Sequence, residues 1–477
     1  MVWIEGAKRL ALPYVAVAAG TAGPALVSRL DDTAASALAT DADQLPLVHS
    51  HLRQMAHPLT AIVVERTDCA ADGAANGAAD GAVLEDGGRN QTLRDVMGGL
   101  PCHNAHQLLH GARLALGDAS AHFRVAGGET SRVLGASAWV GGLWQLVAPR
   151  PVEASDALFI LYTSGSTGKP KGIVHTHGGY QVGLVATTEV IFARRPEDVL
   201  MVIATPGWIT GQSYMIAAAL LCRIPSVLLD GSPVAPPDRF AAVMARHRVS
   251  ILKAGSTFLR MLMTQAEGAA LFGMHDLSAL RLGTFCAEPV NEAVHRFAMA
   301  HLTPYYINSY WATEHGGIVW SRTLSAREPL QPDATSWPLP WIAGDVVVRT
   351  GEGSTSASWR RARDGEPGEV AIGQQFPYMA LTVWRSEGFG TDRWRGDIRR
   401  WASYFAEGAG YVQGDTAVRH ASGAYSFRGR SDEVINVGGN RIGTEEIENA
   451  LLLDRELPGS PVGNCVVVGM PDEVIRG

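Results

Sequence analysis

The sequence predicts an α/β protein in which parallel-rich sheets are flanked by helices. A β-rich subdomain and then a small α+β domain are expected to follow. Between residues 156 and 308, short apolar segments alternate with helix-like segments, as in parallel strands joined by helices. Between residues 345 and 428, short strands, turns and prolines replace that alternation. At 477 residues the chain is too long for one core, so we expect about two or three.

The predicted elements follow one another in order along the chain. The strands expected in the alternating region are Ala157–Tyr162, Val199–Ala204, Ser226–Leu229, Val249–Ala254, Leu280–Phe285 and Tyr305–Ile307. The helices expected between them include Asp238–His247, Thr257–Gln265 and Val290–Ala300. Outside this region, strands are expected at Thr60–Glu65 and Cys465–Met470, and a helix is expected after Thr444. Ligands of such sheets bind beyond the carboxyl ends of the strands, so functional residues are expected there.

The domain boundary is placed near residue 430. Residues 1–430 are expected to form the large domain, and residues 431–477 part of the small one. Residues 69–88 form a near-repeat of A-A-D/N-G. Such a stretch cannot bury enough apolar surface to offset its ordering entropy, so we predict a flexible insertion without chemistry.

Composition narrows the class of protein. With 40 basic and 47 acidic residues the net charge is −7, and there is no basic tail, which disfavours nucleic-acid binding. The five cysteines are scattered and form no CxxC pair, which predicts a reducing compartment such as the cytoplasm or an organelle matrix. Lys8 and Arg9 precede an uncharged run, Leu10–Val27, that is weakly signal-like. Prolines and glycines dilute this run, and no membrane span is predicted. The oligomeric state stays open.

The stretch Leu161–Gly172 reads L-Y-T-S-G-S-T-G-K-P-K-G and continues a predicted strand. Glycines let a backbone bend around an anion, while hydroxyls, amides and lysines donate hydrogen bonds and supply charge. A flexible linker would lack the strand and the two ordered lysines. A Walker loop is excluded, since only two residues separate Gly165 from Gly168 and Pro170 follows the first lysine. The residues predicted to bind phosphate are Thr163, Ser164, Gly165, Ser166, Thr167, Gly168, Lys169 and Lys171.

This stretch resembles the phosphate loop of the acyl-adenylate-forming family, which includes acyl-CoA synthetases, luciferases and peptide-synthetase adenylation domains. A second motif, N-S-Y-W-A-T-E-H-G-G at Asn308–Gly317, resembles the aromatic-x-T-E-x-G segment of that family. Thr313 can donate to a phosphate, and Glu314 offers a hard oxygen to Mg²⁺. Tyr310 or Trp311 offers a flat face for a base or a wall for a pocket.

Two further motifs follow in the family's order. Asp415, after Gly414, can accept hydrogen bonds from both ribose hydroxyls. The stretch Arg428–Glu448 supplies Arg430 and Arg441 for ribose and phosphate contacts. Within it, the resemblance implies a hinge at Asp432 and room for the thiol carrier CoA at Gly438 and Gly439.

The G-W-I-T-G segment, Gly207–Gly211, is similar to that of acetyl- and propionyl-CoA synthetases, and the longer segments around it and Trp311 also resemble the ligase domain of propionyl-CoA synthase. The resemblance implies an acyl pocket lined by Trp208, Ile209, Thr210, Cys286 and Trp311, with Thr210 also near CoA. It implies adenine and AMP contacts at Ala287, Glu288, Pro289, Asn308, Ser309, Tyr310, Trp311 and Ala312. The implied catalytic residues are Lys171, Thr313, Glu314 and Arg430. A bulky Trp311 leaves space only for a short acyl chain.

The sequence departs from the family at several points. Asn308 stands where close relatives have Asp, and Ala287 replaces a glycine. The family's C-terminal P-K-T-x-S-G-K segment, which carries a catalytic lysine, does not occur in this sequence. We therefore expect the chain to be partial at both ends.

Together these features predict a short-chain acyl-CoA synthetase. It would convert ATP, a small carboxylic acid and CoA to acyl-CoA, AMP and pyrophosphate through an acyl adenylate, with Mg²⁺ as cofactor. Two alternatives stay open. The missing lysine segment would suit a protein that binds a nucleotide without turnover. Alternatively, the acyl group could pass to a carrier-protein thiol.

Overall fold

The computed structural model describes most of the chain after residue 149 and short stretches before it. The described residues are 4, 7–8, 12–17, 21, 23–35, 37–41, 55–56, 61–65, 102–104, 149–163, 170–229, 231–234, 236–264, 272–286, 289–290, 292–323, 330–350, 358–384, 396–431, 434–437 and 440–443. The chain divides into two compact units, residues 1–152 with 385–392, and residues 153–384 with 393–477. The domain boundary near residue 430 stays a prediction.

Among its described residues, the first unit contains a small parallel sheet and a ten-residue helix. Its elements are β1 (Tyr14–Val15), α1 (Gly23–Asp32), β2 (Ala37–Asp41), β3 (Ala61–Glu65) and β4 (Cys102–Asn104). The sheet runs in the order β2-β3-β4. Helix α1 buries Leu26 and Leu30 against Val17, Ala35 and neighbouring apolar side chains. The strand predicted at Thr60–Glu65 is confirmed as β3, whereas the insertion predicted at residues 69–88 lies outside the described residues.

The second unit contains the remaining strands and helices that the structure describes. Its strands are β5 (Ala157–Thr163), β6 (Lys171–Thr176), β7 (Leu200–Ile203), β8 (Ser226–Val227), β9 (Ile251–Gly255), β10 (Leu282–Cys286), β11 (Tyr306–Tyr310), β12 (Trp320–Ser321), β13 (Trp337–Pro338), β14 (Gly344–Thr350), β15 (Ser358–Arg361), β16 (Pro367–Ile372), β17 (Thr382–Val383), β18 (Phe405–Ala406), β19 (Gly410–Arg419), β20 (Tyr425–Arg430), β21 (Val434–Val437) and β22 (Asn440–Gly443). Its α-helices are α2 (His177–Ile191), α3 (Ala219–Leu221), α4 (Arg239–Arg246), α5 (Ser256–Thr264), α6 (Glu292–His301) and α7 (Ile398–Ala402). A π-helix spans Gly211–Ala218, and a 3₁₀ turn spans Thr313–His315.

A seven-stranded sheet forms the centre of this unit, in the order β13-β12-β11-β10-β9-β7-β8. Strands β11, β10, β9, β7 and β8 are parallel, and β12 and β13 are antiparallel additions at one edge. The strands and helices predicted between residues 156 and 308 are confirmed within a few residues at each end. Helices cover the faces of parallel sheets, so their strands are buried and appear in the sequence as continuous apolar runs. Such runs are easy to recognise, which explains the agreement.

The two faces of the central strands differ in chemistry. Leu252 and Ala254 of β9 and Phe285 of β10 belong to an apolar core that helices α4, α5 and α6 complete. Side chains alternate along a strand, so Lys253 lies on the other face of β9. In register with it on β10 lies Thr284.

The predicted phosphate stretch lies between two antiparallel strands, not between a strand and a helix. Strand β5 continues through Thr163, and Lys171 opens β6, with the two residues paired across the ladder. Strand β17 pairs with the other edge of β6. Lys171 is therefore a strand residue. The connection at residues 164–169 lies outside the described part.

The β-rich subdomain predicted between residues 345 and 428 is confirmed. Strands β15, β14, β16, β19 and β18 form one sheet, with β20 paired to β19. The β19–β20 ladder places Asp415 opposite Arg430. Strands β21 and β22 form a hairpin. The strand predicted at Cys465–Met470 and the helix after Thr444 lie outside the described residues. None of the helices that the structure describes has the length and apolar character needed to cross a bilayer.

Candidate active site

One group of site residues surrounds the Asp415 carboxylate. The Tyr310 hydroxyl, at the end of β11, donates to Asp415 Oδ2 at 2.5 Å, and Arg430 Nη1 donates to Oδ1 at 3.2 Å. Phe427 stacks on the Tyr310 ring with centroids 3.8 Å apart. Burial and then the Asp415 charge hold the pKa of Tyr310 well above its ordinary value, so the phenol stays protonated and donates. Gly414, at a φ of 89°, allows the turn of backbone beside this carboxylate.

A second group surrounds Glu314, on the 3₁₀ turn. Its carboxylate is buried and accepts a hydrogen bond from the Tyr404 hydroxyl at 2.8 Å. Lys171 Nζ lies 3.4 Å from the same hydroxyl and 4.8 Å from the Tyr404 ring centroid. Burial raises the pKa of Glu314, and the bond from Tyr404 and the Lys171 charge only partly oppose this. Tyr404 thus links the lysine after the predicted phosphate loop to the predicted metal ligand.

Two buried histidines hold this turn in place. His175 Nε2 donates to the Thr313 carbonyl at 2.8 Å, and the Ala312 amide donates to His315 Nδ1 at 3.1 Å. Burial lowers the pKa of His175 to about 4 and that of His315 to about 3. Both rings are therefore neutral near pH 7, and they fix the turn without placing a positive charge behind Glu314.

Glu314 fits the role of a magnesium ligand. Mg²⁺ is usually held by one or two carboxylates together with substrate phosphates, not by a cage of protein ligands. The described residues contain no group of three or more His, Cys, Asp or Glu that could hold a metal. A nearby cation would offset the cost of burying the Glu314 charge.

The Thr163 hydroxyl is placed to donate a hydrogen bond to a phosphate oxygen. Its oxygen is buried and has no hydrogen-bond partner in the described structure. A buried hydroxyl without a partner is costly, and a phosphate oxygen would satisfy it. The backbone pairing of Thr163 with Lys171 brings it to the same end of the β5–β6 ladder.

A third group lies at the carboxyl ends of β9, β10 and β11. Thr210 Oγ1 and Cys286 Sγ are 4.0 Å apart. Lys253 Nζ donates to Ser309 Oγ at 2.7 Å and lies 5.6 Å from the Trp311 ring centroid. This group, called the acyl cluster below, thus joins three of the residues predicted to line the acyl pocket to a lysine.

The G-W-I-T-G segment leads into the π-helix beside this cluster. A side chain at Gly211 would clash with the Thr205 carbonyl, so only glycine fits where the helix begins. Ile209 is buried, whereas Trp208 is 66% exposed. Trp208 lies in the turn before the π-helix, and the structure does not place it in the buried acyl cluster. Tyr214 of the π-helix packs edge-on against Trp311, with ring centroids 5.2 Å apart.

Ser309 faces away from Tyr310, the next residue of the predicted AMP site. Successive strand residues face opposite sides, so Tyr310 faces Asp415 while the Ser309 side chain faces Lys253. Asn308 donates from Nδ2 to the Ala334 carbonyl at 3.1 Å.

Two of the remaining predicted site residues, Pro289 and Arg441, lie in the described part of the chain. The Pro289 carbonyl accepts a hydrogen bond from Arg260 at 2.9 Å. Arg441 lies in β22, opposite Asn436. The predicted site residues outside the described part are Ser164, Gly165, Ser166, Thr167, Gly168, Lys169, Ala287, Glu288, Asp432, Gly438 and Gly439.

Sequence reasoning missed Tyr404, Lys253 and the two histidines. A lone lysine inside the apolar run V-S-I-L-K-A-G could have signalled Lys253, because a charge in a buried strand needs a reason. No local pattern marks Tyr404, which meets Glu314 across 90 residues of sequence.

Residues 1–382 match the AMP-binding enzyme family. Since this is well over half of the chain, the chain belongs to that family, and the resemblance carried by the four motifs is confirmed.

Within this family, the chain is similar in sequence to acetyl-coenzyme A synthetases. The chain is 35% identical to the acetyl-coenzyme A synthetase of Pyrobaculum arsenaticum over 335 residues, 69% of this chain and 46% of that protein. It is 37% identical to the acetyl-coenzyme A synthetase of Caulobacter vibrioides over 333 residues, 68% of this chain and 47% of that protein. The chain thus spans about half the length of these relatives.

A solved structure shares the fold. The anthranilate CoA ligase AuaEII, in complex with anthranoyl-AMP, superimposes with a TM-score of 0.67 at 20% identity, covering 99% of this chain and 72% of that one. The predicted α/β fold class is confirmed.

Proposed function

We propose that the protein is an AMP-forming acyl-CoA synthetase for a short carboxylic acid. One observation carries the proposal. Residues of separate motifs converge in the fold, with Lys171 and Glu314 joined through Tyr404, and Asp415 bonded to both Tyr310 and Arg430. The similarity to acetyl-coenzyme A synthetases supports the reaction class.

In this proposal each group contacts one part of ATP. Asp415 accepts from the ribose hydroxyls, and Arg430 contacts the ribose or phosphates. Thr163 donates to a phosphate oxygen, and Lys171 supplies positive charge at the end of the phosphate loop. Glu314 would hold Mg²⁺, and the ion would supply positive charge to offset the charge of the phosphates.

The first half-reaction then needs little covalent help from the protein. A carboxylate oxygen of the acid attacks the α-phosphorus, the bond to the bridging oxygen breaks, and pyrophosphate leaves with the electron pair. Positioning of the reactants and neutralisation of charge dominate such a step. In the second half, the CoA thiolate attacks the acyl carbonyl and AMP leaves. The proposed hinge at Asp432 would let the small domain turn between the halves.

The acyl cluster supports a small acid. Trp311 is braced by the buried Tyr214 ring, and this packing opposes movement of the indole away from a longer chain. Ile209, Thr210 and Cys286 would complete the walls. We also propose a reducing compartment, cytoplasm or organelle matrix, since the five cysteines form no paired motif.

The test is ATP–pyrophosphate exchange by the full-length protein with acetate, propionate, acrylate and 3-hydroxypropionate. We expect Mg²⁺-dependent exchange with at least one of these acids. AMP binding without exchange would support a nucleotide-binding protein without turnover. If the protein shows no exchange and also fails to bind AMP, the proposed function is refuted. If the acyl group passes from the adenylate to a carrier-protein thiol but not to CoA, adenylation stands and CoA is the wrong acceptor.

A further inference from the structure

The π-helix at Gly211–Ala218 lies between two parts of the proposed site. It begins directly after Thr210 of the acyl cluster, and all eight of its residues are buried. Helices of this kind are rare, and they occur frequently at functional sites. Two of its side chains reach the chain segment that follows Glu314, so we asked what these contacts do for the reaction.

Ser213 of the π-helix bonds to the backbone just after the turn that carries Glu314. Its hydroxyl donates to the Gly316 carbonyl at 2.8 Å. Because this uses the only hydroxyl proton of Ser213, the Tyr180 hydroxyl donates in the 2.8 Å bond between Tyr180 and Ser213. The fully buried Ser213 hydroxyl thus joins helix α2, the π-helix and Gly316.

Tyr214, the next residue, bonds to the same segment. Its hydroxyl accepts from the Ile318 amide at 2.9 Å and lies 3.0 Å from Thr187 Oγ1. Thr187 gives its own proton to the Gly183 carbonyl, so Tyr214 donates to Thr187. The Tyr214 ring packs edge-on against Trp311, with centroids 5.2 Å apart. One side chain therefore contacts both a wall of the acyl cluster and the segment after the turn.

The segment that these bonds hold is continuous with the turn at Thr313–His315. The Gly316 amide donates to the Thr313 carbonyl at 3.1 Å, which closes the turn around Glu314. A shift of Gly316 would therefore move the Glu314 carboxylate. The π-helix thus connects the proposed metal ligand to the acyl cluster through buried hydrogen bonds.

We propose that Ser213 and Tyr214 are positioning residues for the first half-reaction. They fix the Glu314 turn relative to the acyl cluster, so that a carboxylate oxygen of the acid meets the α-phosphorus of ATP in line. This inference rests on the proposed function and assigns two further residues to it. Both act through the turn and not on the reacting atoms. A misplacement of about 1 Å can lower a rate about 100-fold, so such positioning is worth a large effect.

The two half-reactions should respond differently when these bonds are lost. In the first, the acid and ATP are separate molecules, and the protein alone sets the distance between them. In the second, a covalent bond already joins the acyl group to AMP, and pyrophosphate has left. Loss of the bonds should therefore slow adenylation much more than thioester formation.

The test measures both half-reactions in the full-length protein and in its Ser213→Ala and Tyr214→Phe variants. Adenylation is followed by ATP–pyrophosphate exchange with whichever of acetate, propionate, acrylate and 3-hydroxypropionate the wild type uses fastest. Thioester formation is followed with CoA and the synthetic adenylate of that acid. We expect the ratio of the first kcat to the second to fall about 10- to 100-fold in each variant. Partial unfolding cannot produce this change, because the folded fraction cancels in the ratio.

Ser250→Ala is the matched control. The buried Ser250 hydroxyl donates to Asp198 at 2.7 Å and accepts from the Val199 amide at 2.9 Å, so it makes one donated and one accepted bond, as Ser213 does. Ser250 directly precedes β9 and lies at the amino end of that strand, opposite the acyl cluster. Its loss should leave the ratio unchanged. Tyr214→Phe keeps the ring against Trp311 and so tests the hydroxyl alone.

The possible results separate this inference from the proposed function. If the ratio of a variant stays within about twofold of wild type, the positioning role of that residue is wrong, and the proposed function stands. A fall in Ser250→Ala as large as in Ser213→Ala would also overturn the inference, because the effect would not depend on the turn. A wild-type protein that adenylates none of the four acids would refute the proposed function, and the inference would fall with it.

Discussion

Replacing Asp415 by asparagine should weaken AMP binding strongly while changing stability little. The asparagine keeps the shape of the side chain but loses the charge that strengthens each hydrogen bond. Bonds to a charged acceptor contribute about 1.5–3 kcal/mol and neutral ones about 0.5–1.5 kcal/mol. Over two ribose hydroxyls the loss is about 2–3 kcal/mol, a rise in the AMP dissociation constant of about 30- to 150-fold.

The chain offers a closely matched control at Asp345. Its Oδ1 accepts from Arg419 at 3.0 Å and from the Tyr425 hydroxyl at 3.3 Å, so it has the same kinds of partner as Asp415. Its position on β14 places it in no predicted ligand contact. Because the Arg430 and Arg419 pairs are partly exposed, each asparagine variant should lose about 1 kcal/mol of folding stability or less.

The assay is isothermal titration of AMP, which needs no turnover, together with urea unfolding of each variant. The reasoning predicts weakened binding for Asp415→Asn and unchanged binding for Asp345→Asn. If the two variants bind AMP equally well, or if Asp415→Asn stays within about twofold of wild type, the ribose role is wrong.

Two further variants probe the turn at Glu314 and the core. Tyr404→Phe removes the hydroxyl between Lys171 and Glu314. The pKa of Glu314 should rise further, and the Mg²⁺ concentration needed for half-maximal exchange should increase, which a metal titration measures. An unchanged titration would argue against Tyr404 as a link. Asp198 accepts from Arg281 at 2.5 and 2.8 Å inside the core, so Asp198→Asn should cost about 3 kcal/mol in urea unfolding at pH 7. Burial alone would raise the pKa of Asp198, but its hydrogen bonds outweigh burial and the pKa lies below the ordinary value. The wild type is therefore more stable to unfolding than Asp198→Asn above about pH 4, and this difference in unfolding free energy shrinks as the pH falls further. A difference that stays constant down to pH 2 would contradict this account.

Local pattern was enough to predict much of the fold. The apolar runs and helical spacing between residues 156 and 308 predicted the strands and helices that the central sheet contains. The order of four motifs predicted the family. These features are encoded in neighbouring residues, where backbone preference and side-chain periodicity act directly.

Pairings across long stretches of chain were beyond that reasoning. Sequence alone grouped Ser309 and Tyr310 in one site, but the strand turns their side chains to opposite faces, one toward Lys253 and the other toward Asp415. It also gave no sign that Tyr404 would lie against Glu314.

The sequence by itself determined the α/β class, the AMP-binding family and the candidate residues for nucleotide contact, since each is written in short contiguous patterns. Only the tertiary structure decided which side chains share a face and which meet across 90 or 105 residues, as Tyr404 meets Glu314 and Asp415 meets Tyr310. The physical reason is that strand order and burial set those pairings. They are properties of the whole packed sheet and not of any one segment.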